Sequence, residues 1–139
     1  MLHLADIALY VIHLSIIVYS LIGWAWPRGR RAHLIFLGVI FACWFGIGLA
    51  LGYGFGYCPL TDWHWQLKTQ LGASYAALPN SFIKHVWDGA LPWPISARAA
   101  DILTFVAFFT SVAITVYLNF IKRTPPNEPT AADPAPAAD

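Results

Sequence analysis

The sequence predicts an all-α integral membrane protein with three transmembrane helices and one or two short interfacial helices on the outer side. Of its 139 residues, 58% are apolar and 11% are charged, whereas soluble domains average about 45–50% apolar and about 25% charged residues. The charges lie mainly between long uncharged segments. This composition argues against a soluble enzyme. A net charge of +1 without a basic stripe gives no basis for nucleic-acid binding.

Three nearly uncharged segments are long enough to cross a bilayer, because about 20 apolar residues in a helix span a hydrocarbon core about 30 Å thick. They cover residues 5–26, 32–57 and 101–121. The turn Pro27-Arg28-Gly29-Arg30-Arg31 joins the first two spans in a hairpin. Asp101 favours the N-terminus of the third helix, and Lys122-Arg123 favours its C-terminus.

The distribution of cations predicts the orientation of the spans. Arg28, Arg30, Arg31, Lys122 and Arg123 cluster on one side, whereas Lys68, Lys84 and Arg98 are spread through residues 58–100 on the other. Short cytoplasmic loops are enriched in Lys and Arg. We therefore expect the N-terminus outside and the C-terminus in the cytoplasm.

The chain divides into a membrane domain, residues 1–123, and a Pro/Ala-rich tail, residues 124–139. The membrane domain includes an outer amphipathic segment, residues 58–100. The tail has neither a helical nor a strand period and is typical of a disordered segment. A signal peptide is the competing interpretation of residues 1–26, but that segment lacks a basic start. We expect a retained first helix.

The second span carries two stripes of small residues at i,i+4 spacing. One stripe is Gly38, Ala42, Gly46, Ala50 and Gly54, and the other is Gly48, Gly52 and Gly56. Small residues let membrane helices approach closely. We expect them to contact the first and third spans of the same chain, with a homodimer face as the alternative. The glycines from Gly52 to Gly56 also favour unwinding or bending.

A polar face on the first span is formed by His3, Asp6, Tyr10 and His13, and it is continued by Ile17, Ser20 and Trp24. An ionisable group at the depth of His13 is a candidate functional residue. The alternative, which we favour, is an imidazole hydrogen-bonded to a neighbouring helix. The third span offers Thr104, Ser111, Thr115 and Asn119 for that purpose.

The outer segment predicts two short helices. Thr61 is a candidate cap for a helix that begins at Asp62 and ends at Gly72. Its predicted apolar face comprises Leu60, Trp63, Leu67 and Leu71. A second helix is expected from Asn80 or Ser81 through Trp87, ended by Gly89.

The outer side also gathers potential ligands for zinc or copper. They are His3, Asp6, Cys58, Asp62, His64, His85 and Asp88. No C-x-x-C or H-x-x-x-H spacing occurs, so the sequence identifies no definite cofactor. Cys43 and Cys58 would lie about 22 Å apart along one helix, too far for a disulfide. This separation argues against a dithiol oxidase.

Three short motifs stand out in the outer segment, together with residues of the first two spans and their hairpin. They are Cys58-Pro59-Leu60-Thr61, Leu67-Lys68, Phe82-Ile83-Lys84-His85, His13, Trp26-Pro27 and His33. With these residues the chain resembles, over residues 5–121, a family of small bacterial inner-membrane proteins known as domain of unknown function 2784. This resemblance implies the membrane fold and the bacterial inner membrane, without a reaction. His64 stands where the family commonly has a carboxylate.

These observations predict a non-catalytic accessory or scaffold subunit of a larger membrane complex. Its expected partners are the lipid bilayer and other integral membrane subunits. No complete catalytic group appears, which argues against an enzyme. The alternative is a metal-binding or redox membrane protein that uses the outer His/Asp/Cys residues. A transporter is a weaker third class, because the spans contain no buried charge pair.

Overall fold

A computed structural model describes residues 1–53 and 56–122, and over these residues it contains helices and connections but no β-strand. The α-helices are α1 (Leu2–Ile22), α2 (Arg30–Phe41), α3 (Gly48–Ala50), α4 (Pro59–Gln70), α5 (Phe82–Ala90) and α6 (Ala97–Val116). A π-helical segment, Ala42–Ile47, joins α2 to α3, and a second one, Tyr117–Ile121, continues α6. Short 3-10 turns, Gly23–Ala25 and Pro27–Gly29, form the hairpin between α1 and α2.

Three helical stretches are long and apolar enough to cross a membrane: Leu2–Ala25, Pro27–Ala50 and Ala97–Ile121. Their outward side chains are apolar and exposed, as at Leu4 (72%), Ile35 (69%) and Val106 (60%). Water would oppose such exposure, whereas lipid accommodates it. The predicted fold class is therefore confirmed.

The ends of the spans differ from those expected from charge alone. The second span ends at Ala50 instead of residue 57, because Gly52 and Gly56 adopt positive φ values of 75° and 83°. The expected break in this glycine-rich segment is thus observed, while Gly54 lies outside the described residues. The third span begins at Ala97, before Asp101, since Ser96 accepts a hydrogen bond from the backbone N–H of Ala99 at 3.1 Å. The tail, residues 124–139, also lies outside the described part of the chain.

The outer segment folds back as a cap, defined here as α4 and α5, onto the N-terminal end of α1. Helix α4 begins at Pro59 and not at Asp62, with Pro in the first turn, where its missing N–H costs nothing. It buries Thr61, His64 and Trp65 and leaves Trp63 62% exposed. The predicted apolar face was therefore wrong at Trp63. Helix α4 is rotated about its axis relative to this prediction, because His64 bonds Asp6 of α1 and the Trp65 indole N–H donates to the Pro79 carbonyl at 2.7 Å.

At the opposite end, which we call the hairpin side, buried His33 connects the three spans. Its Nδ1 lies 3.0 Å from the Thr115 hydroxyl on α6, and its Nε2 lies 3.2 Å from the Ser20 carbonyl on α1. The Ser111 hydroxyl donates to the same Ser20 carbonyl. A carbonyl oxygen only accepts, so Nε2 of His33 carries the hydrogen and donates to Ser20. The Thr115 hydroxyl, which has one hydrogen to donate, lies within hydrogen-bond distance of both Nδ1 of His33 and the Ser111 carbonyl, the latter at 2.7 Å. The hydroxyls of the third span thus serve His33, and the expectation that they serve His13 was wrong.

Gly23 is the residue that allows His33 to reach α1. A Cβ at Gly23 would lie under 3.0 Å from ring atoms of His33 and Tyr19. The Tyr19 ring meets the His33 ring edge to face, with centroids 5.2 Å apart. Only a residue without a side chain fits between these two rings.

The small-residue stripe Gly38, Ala42, Gly46 and Ala50 is exposed along its whole described length. A Cβ at Gly38 or Gly46 would meet no described atom within 4 Å outside its own helix. The expected close contact of these glycines with the first and third spans is therefore not made. In the second stripe Gly48 is buried, but Gly52 and Gly56 are exposed.

We predict that Gly23→Ala lowers the thermal stability of the detergent-solubilised protein. The added methyl group must displace His33 or Tyr19, and overpacking of this kind costs about 1–3 kcal/mol. Gly29→Ala is the matched control, since a Cβ there meets Trp26 at an ordinary 3.8 Å. Equal unfolding midpoints for the two variants would contradict this account of the His33 contacts.

Candidate functional site

A cluster of polar and aromatic side chains fills the space between α1 and the cap. We call it the cap cluster, and it consists of Asp6, Tyr10, His13, Cys58, His64, Lys68, Phe82 and His85. Asp6, Tyr10 and His13 share one face of α1 because their spacing follows the helical period. His64 and Lys68 are one turn apart on α4, and Ser81 caps α5 so that Phe82 and His85 point inward.

Asp6 bonds both His64 and Lys68 at the centre of the cap cluster. The His64 Nε2 lies 2.8 Å from Asp6 Oδ1, and the Lys68 ammonium lies 3.1 Å from the same oxygen. A carboxylate only accepts hydrogen bonds, so Nε2 of His64 carries the hydrogen. The other ring nitrogen, Nδ1, is buried and has no hydrogen-bond partner among the described residues. The His64 side chain is 0% exposed, so this contact fixes α4 against α1.

His13 lies deeper along the same face of α1. Its ring stacks on Phe82 with centroids 3.9 Å apart and an interplanar angle of 10°. Its Nε2 lies 3.8 Å from the Cys58 sulfur, while its Nδ1 finds no partner in the described part of the chain. His13 therefore contacts Phe82 of the cap and Cys58, which directly precedes α4, in place of the neighbouring span that the sequence predicted as its partner.

Phe82 is the packing centre of the cap cluster. It is 3% exposed, and the rings of Tyr10, His64 and His85 surround it at centroid distances of 5.2, 5.7 and 6.3 Å. Phe82 also stacks on His13, so its ring lies against both of the buried imidazoles, His13 and His64.

The remaining predicted ligands lie elsewhere. His3 is exposed at the start of α1. Asp62 accepts hydrogen bonds from Tyr57 and Gln66 at 3.4 and 3.0 Å, so its carboxylate is engaged there. Asp88 pairs with Lys84 and accepts from the backbone N–H of Ile95. Among the described residues, no group of three His, Cys, Asp or Glu side chains has a metal-binding arrangement.

Two residues of the cap have shifted pKa values. The hydrogen bond from Lys84 lowers the pKa of Asp88, which keeps this exposed carboxylate ionised. Burial lowers the pKa of His85, and the nearby Lys68 charge lowers it further. A neutral His85 therefore packs against Trp65, with ring centroids 5.0 Å apart.

Sequence reasoning missed two residues that hold these sites together. Lys68 pairs with Asp6, and Gly23 makes room for His33. The i,i+4 spacing of His64 and Lys68 was the available signal for Lys68. Ser20 was placed on the polar face of the first span, but nothing in the local pattern around Ser20 or Gly23 indicates a partner as far along the chain as His33.

Three apolar spans with a cap packed on one end define a multi-pass membrane protein. Within that class, the chain belongs to the family described as Protein of Unknown function (DUF2784), whose model matches residues 3–120. The family membership predicted from the sequence is thereby confirmed. No curated protein and no solved structure matches the chain significantly.

We predict that the protein loses stability as the pH falls from about 7.5 to about 5, partly through His85. The pKa of His85 is lowered in the folded protein, so the unfolded chain takes up a proton at this residue first as the pH falls. Protonation therefore favours the unfolded state below the ordinary histidine pKa of about 6.5. Thermal unfolding of His85→Gln across this range should show a weaker dependence on pH. Exposed His3 supplies the control: a His3→Gln variant with the same weakening would refute the assignment to His85.

Proposed function

We propose that the protein is a small, non-catalytic accessory or scaffold subunit of a larger complex in the bacterial inner membrane. The exposed stripe Gly38, Ala42, Gly46 and Ala50 carries this proposal. Helices in lipid gain little from burying apolar side chains, so they associate through close packing at small residues. A stripe of this kind, with no neighbouring helix among the described residues, suits contact with a helix of another integral membrane subunit.

The polar contacts inside the chain support the same proposal. His33, Ser20, Ser111 and Thr115 engage one another across the three spans. Asp6 is similarly engaged with His64 and Lys68. These groups stabilise a rigid three-helix body with a fixed cap, as a scaffold requires.

The proposed orientation places Met1 in the periplasm and the C-terminus in the cytoplasm. Arg28, Arg30, Arg31 and Lys122 lie together on the hairpin side, which the positive-inside rule assigns to the cytoplasm. The cap, with Lys68 and Lys84 paired to Asp6 and Asp88, would then face the periplasm.

We predict that Gly46→Leu releases partner subunits while leaving the isolated protein folded. The new side chain would block close approach of another helix, but a Cβ at this position meets no described atom within 4 Å. The unfolding free energy should therefore change by no more than about 1 kcal/mol. Co-purification from native membranes in a mild detergent, followed by mass spectrometry, measures partner retention.

Ala113→Leu is the matched control, because Ala113 is an exposed small residue on α6, away from the stripe. It should retain the partners that Gly46→Leu loses. Retention of the same partners by both variants would remove the basis for a docking role of the stripe.

Metal binding is the second candidate function, and the bonding of His64 favours it. A metal-binding imidazole commonly donates one N–H to a carboxylate and coordinates through the other nitrogen. His64 donates from Nε2 to Asp6 and keeps a buried, unpartnered Nδ1. The contact of Cys58 with His13 adds a thiol and a second imidazole to the same cluster. Zinc or copper would suit these ligands.

We expect the wild-type protein, purified from native membranes, to contain no stoichiometric zinc or copper by elemental analysis. This outcome favours the scaffold function, since the Asp6–His64 pair then serves to fix the cap. Replacement of His64 would also disturb packing, so the cysteines give the cleaner comparison. A stoichiometric metal that Cys58→Ser removes and Cys43→Ser retains would instead support the metal-binding candidate.

A further inference from the structure

An apolar groove of about 720 Å³ runs along the exposed face of α1 towards the hairpin. Val11, Val18 and Ile22 line its length, and Trp26 and Pro27 close its end. The Ser15 hydroxyl, which also lines the groove, donates to the Val11 carbonyl at 2.8 Å. With that hydroxyl engaged, the groove presents mainly a hydrocarbon surface.

The groove ends at the strongest concentration of positive charge on the described surface. Arg28 directly follows Pro27, and both Arg28 and Arg31 are exposed. The Arg30 Nε–H donates to the Trp24 carbonyl at 3.1 Å, which holds this guanidinium at the turn. Among residues 1–53 and 56–122, none of these three arginines has a carboxylate within 4.0 Å.

We propose that this groove and the arginine turn form a binding site for one anionic phospholipid. An acyl chain occupies the groove, and the headgroup phosphate bonds Arg28 and Arg31. Guanidinium groups suit this role because they donate two parallel hydrogen bonds to phosphate oxygens. This lipid site lies on the first span. It is independent of the proposed scaffold role, which uses the exposed stripe of the second span.

The dimensions of the groove favour a lipid chain over a partner helix. From Val11 to Ile22, α1 rises about 16 Å, close to the depth of one leaflet of a hydrocarbon core about 30 Å thick. The groove therefore covers one leaflet and opens at the level of the headgroups. A partner helix that spans the membrane would require a groove that continues through both leaflets. Such a helix would also offer no counter-charge to the arginines at the end of the groove.

The test measures lipid retention by native mass spectrometry of the full-length protein in detergent. The probes are phosphatidylglycerol and phosphatidylcholine with identical acyl chains. We expect one tightly retained phosphatidylglycerol, with affinity falling about fivefold for each guanidinium removed in Arg28→Gln and Arg31→Gln. Ser15→Trp, which fills the groove, should reduce retention of the lipid without removing a charge.

Matched controls distinguish a specific lipid-binding site from general electrostatic attraction of anionic lipids to the protein surface. Lys122→Gln removes a cation on the same side, and Ile102→Trp adds a ring to an exposed position on α6. Both should keep the retained lipid. Equal retention of the two lipids, equal loss with Lys122→Gln, or full retention by Ser15→Trp would overturn the proposal, as would cross-linking of a partner helix to the groove.

Discussion

The arrangement of the three spans depends on satisfying a single buried imidazole in an environment without water. His33 is completely buried, and both of its nitrogens need partners because an unsatisfied polar group in hydrocarbon is costly. One partner is a backbone carbonyl of α1, and the other is a hydroxyl of α6. The three helices must therefore meet at one depth, and Gly23 is required at that depth.

A second polar contact fixes the other end of the same body. The Asp6 carboxylate lies where the first span emerges, and it holds both His64 and Lys68 of the cap. Between the two polar ends, Trp44 packs on Phe105 and Phe108 with centroids 5.6 and 4.9 Å apart. Polar contacts at both ends thus set the register, and aromatic packing fills the middle.

The sequence was most informative where a single physical effect decides the structure. Transfer of apolar residues into lipid determines the three spans, so counting charges located them and predicted the all-α class. The ends of the helices depended on local chemistry, namely the glycine conformations after Ala50 and the Ser96 cap. The sequence predicted these helix ends only in part, because a charged residue or a glycine is compatible with several different end positions.

The composition of the candidate site was predictable, but its geometry was not. The sequence marked Asp6, His13, Cys58, His64 and His85 as notable residues. Which of them meet depends on how α4 rotates around its axis, and long-range partners such as Asp6 and Pro79 decide that rotation. For the same reason the sequence assigned the hydroxyls of the third span to His13, when His33 lies opposite them.

The π-helical segment Ala42–Ile47 has a geometric consequence for the exposed stripe. In a regular α-helix each residue turns by about 100°, so residues four apart drift sideways by about 40° per step. A line of small residues at this spacing would spiral around the helix. The wider π turn rotates less per residue, so it offsets part of that drift. The four small residues Gly38, Ala42, Gly46 and Ala50, all of them exposed, are therefore spread over a narrower arc than a regular α-helix would give them, and a neighbouring helix can follow them over a longer distance.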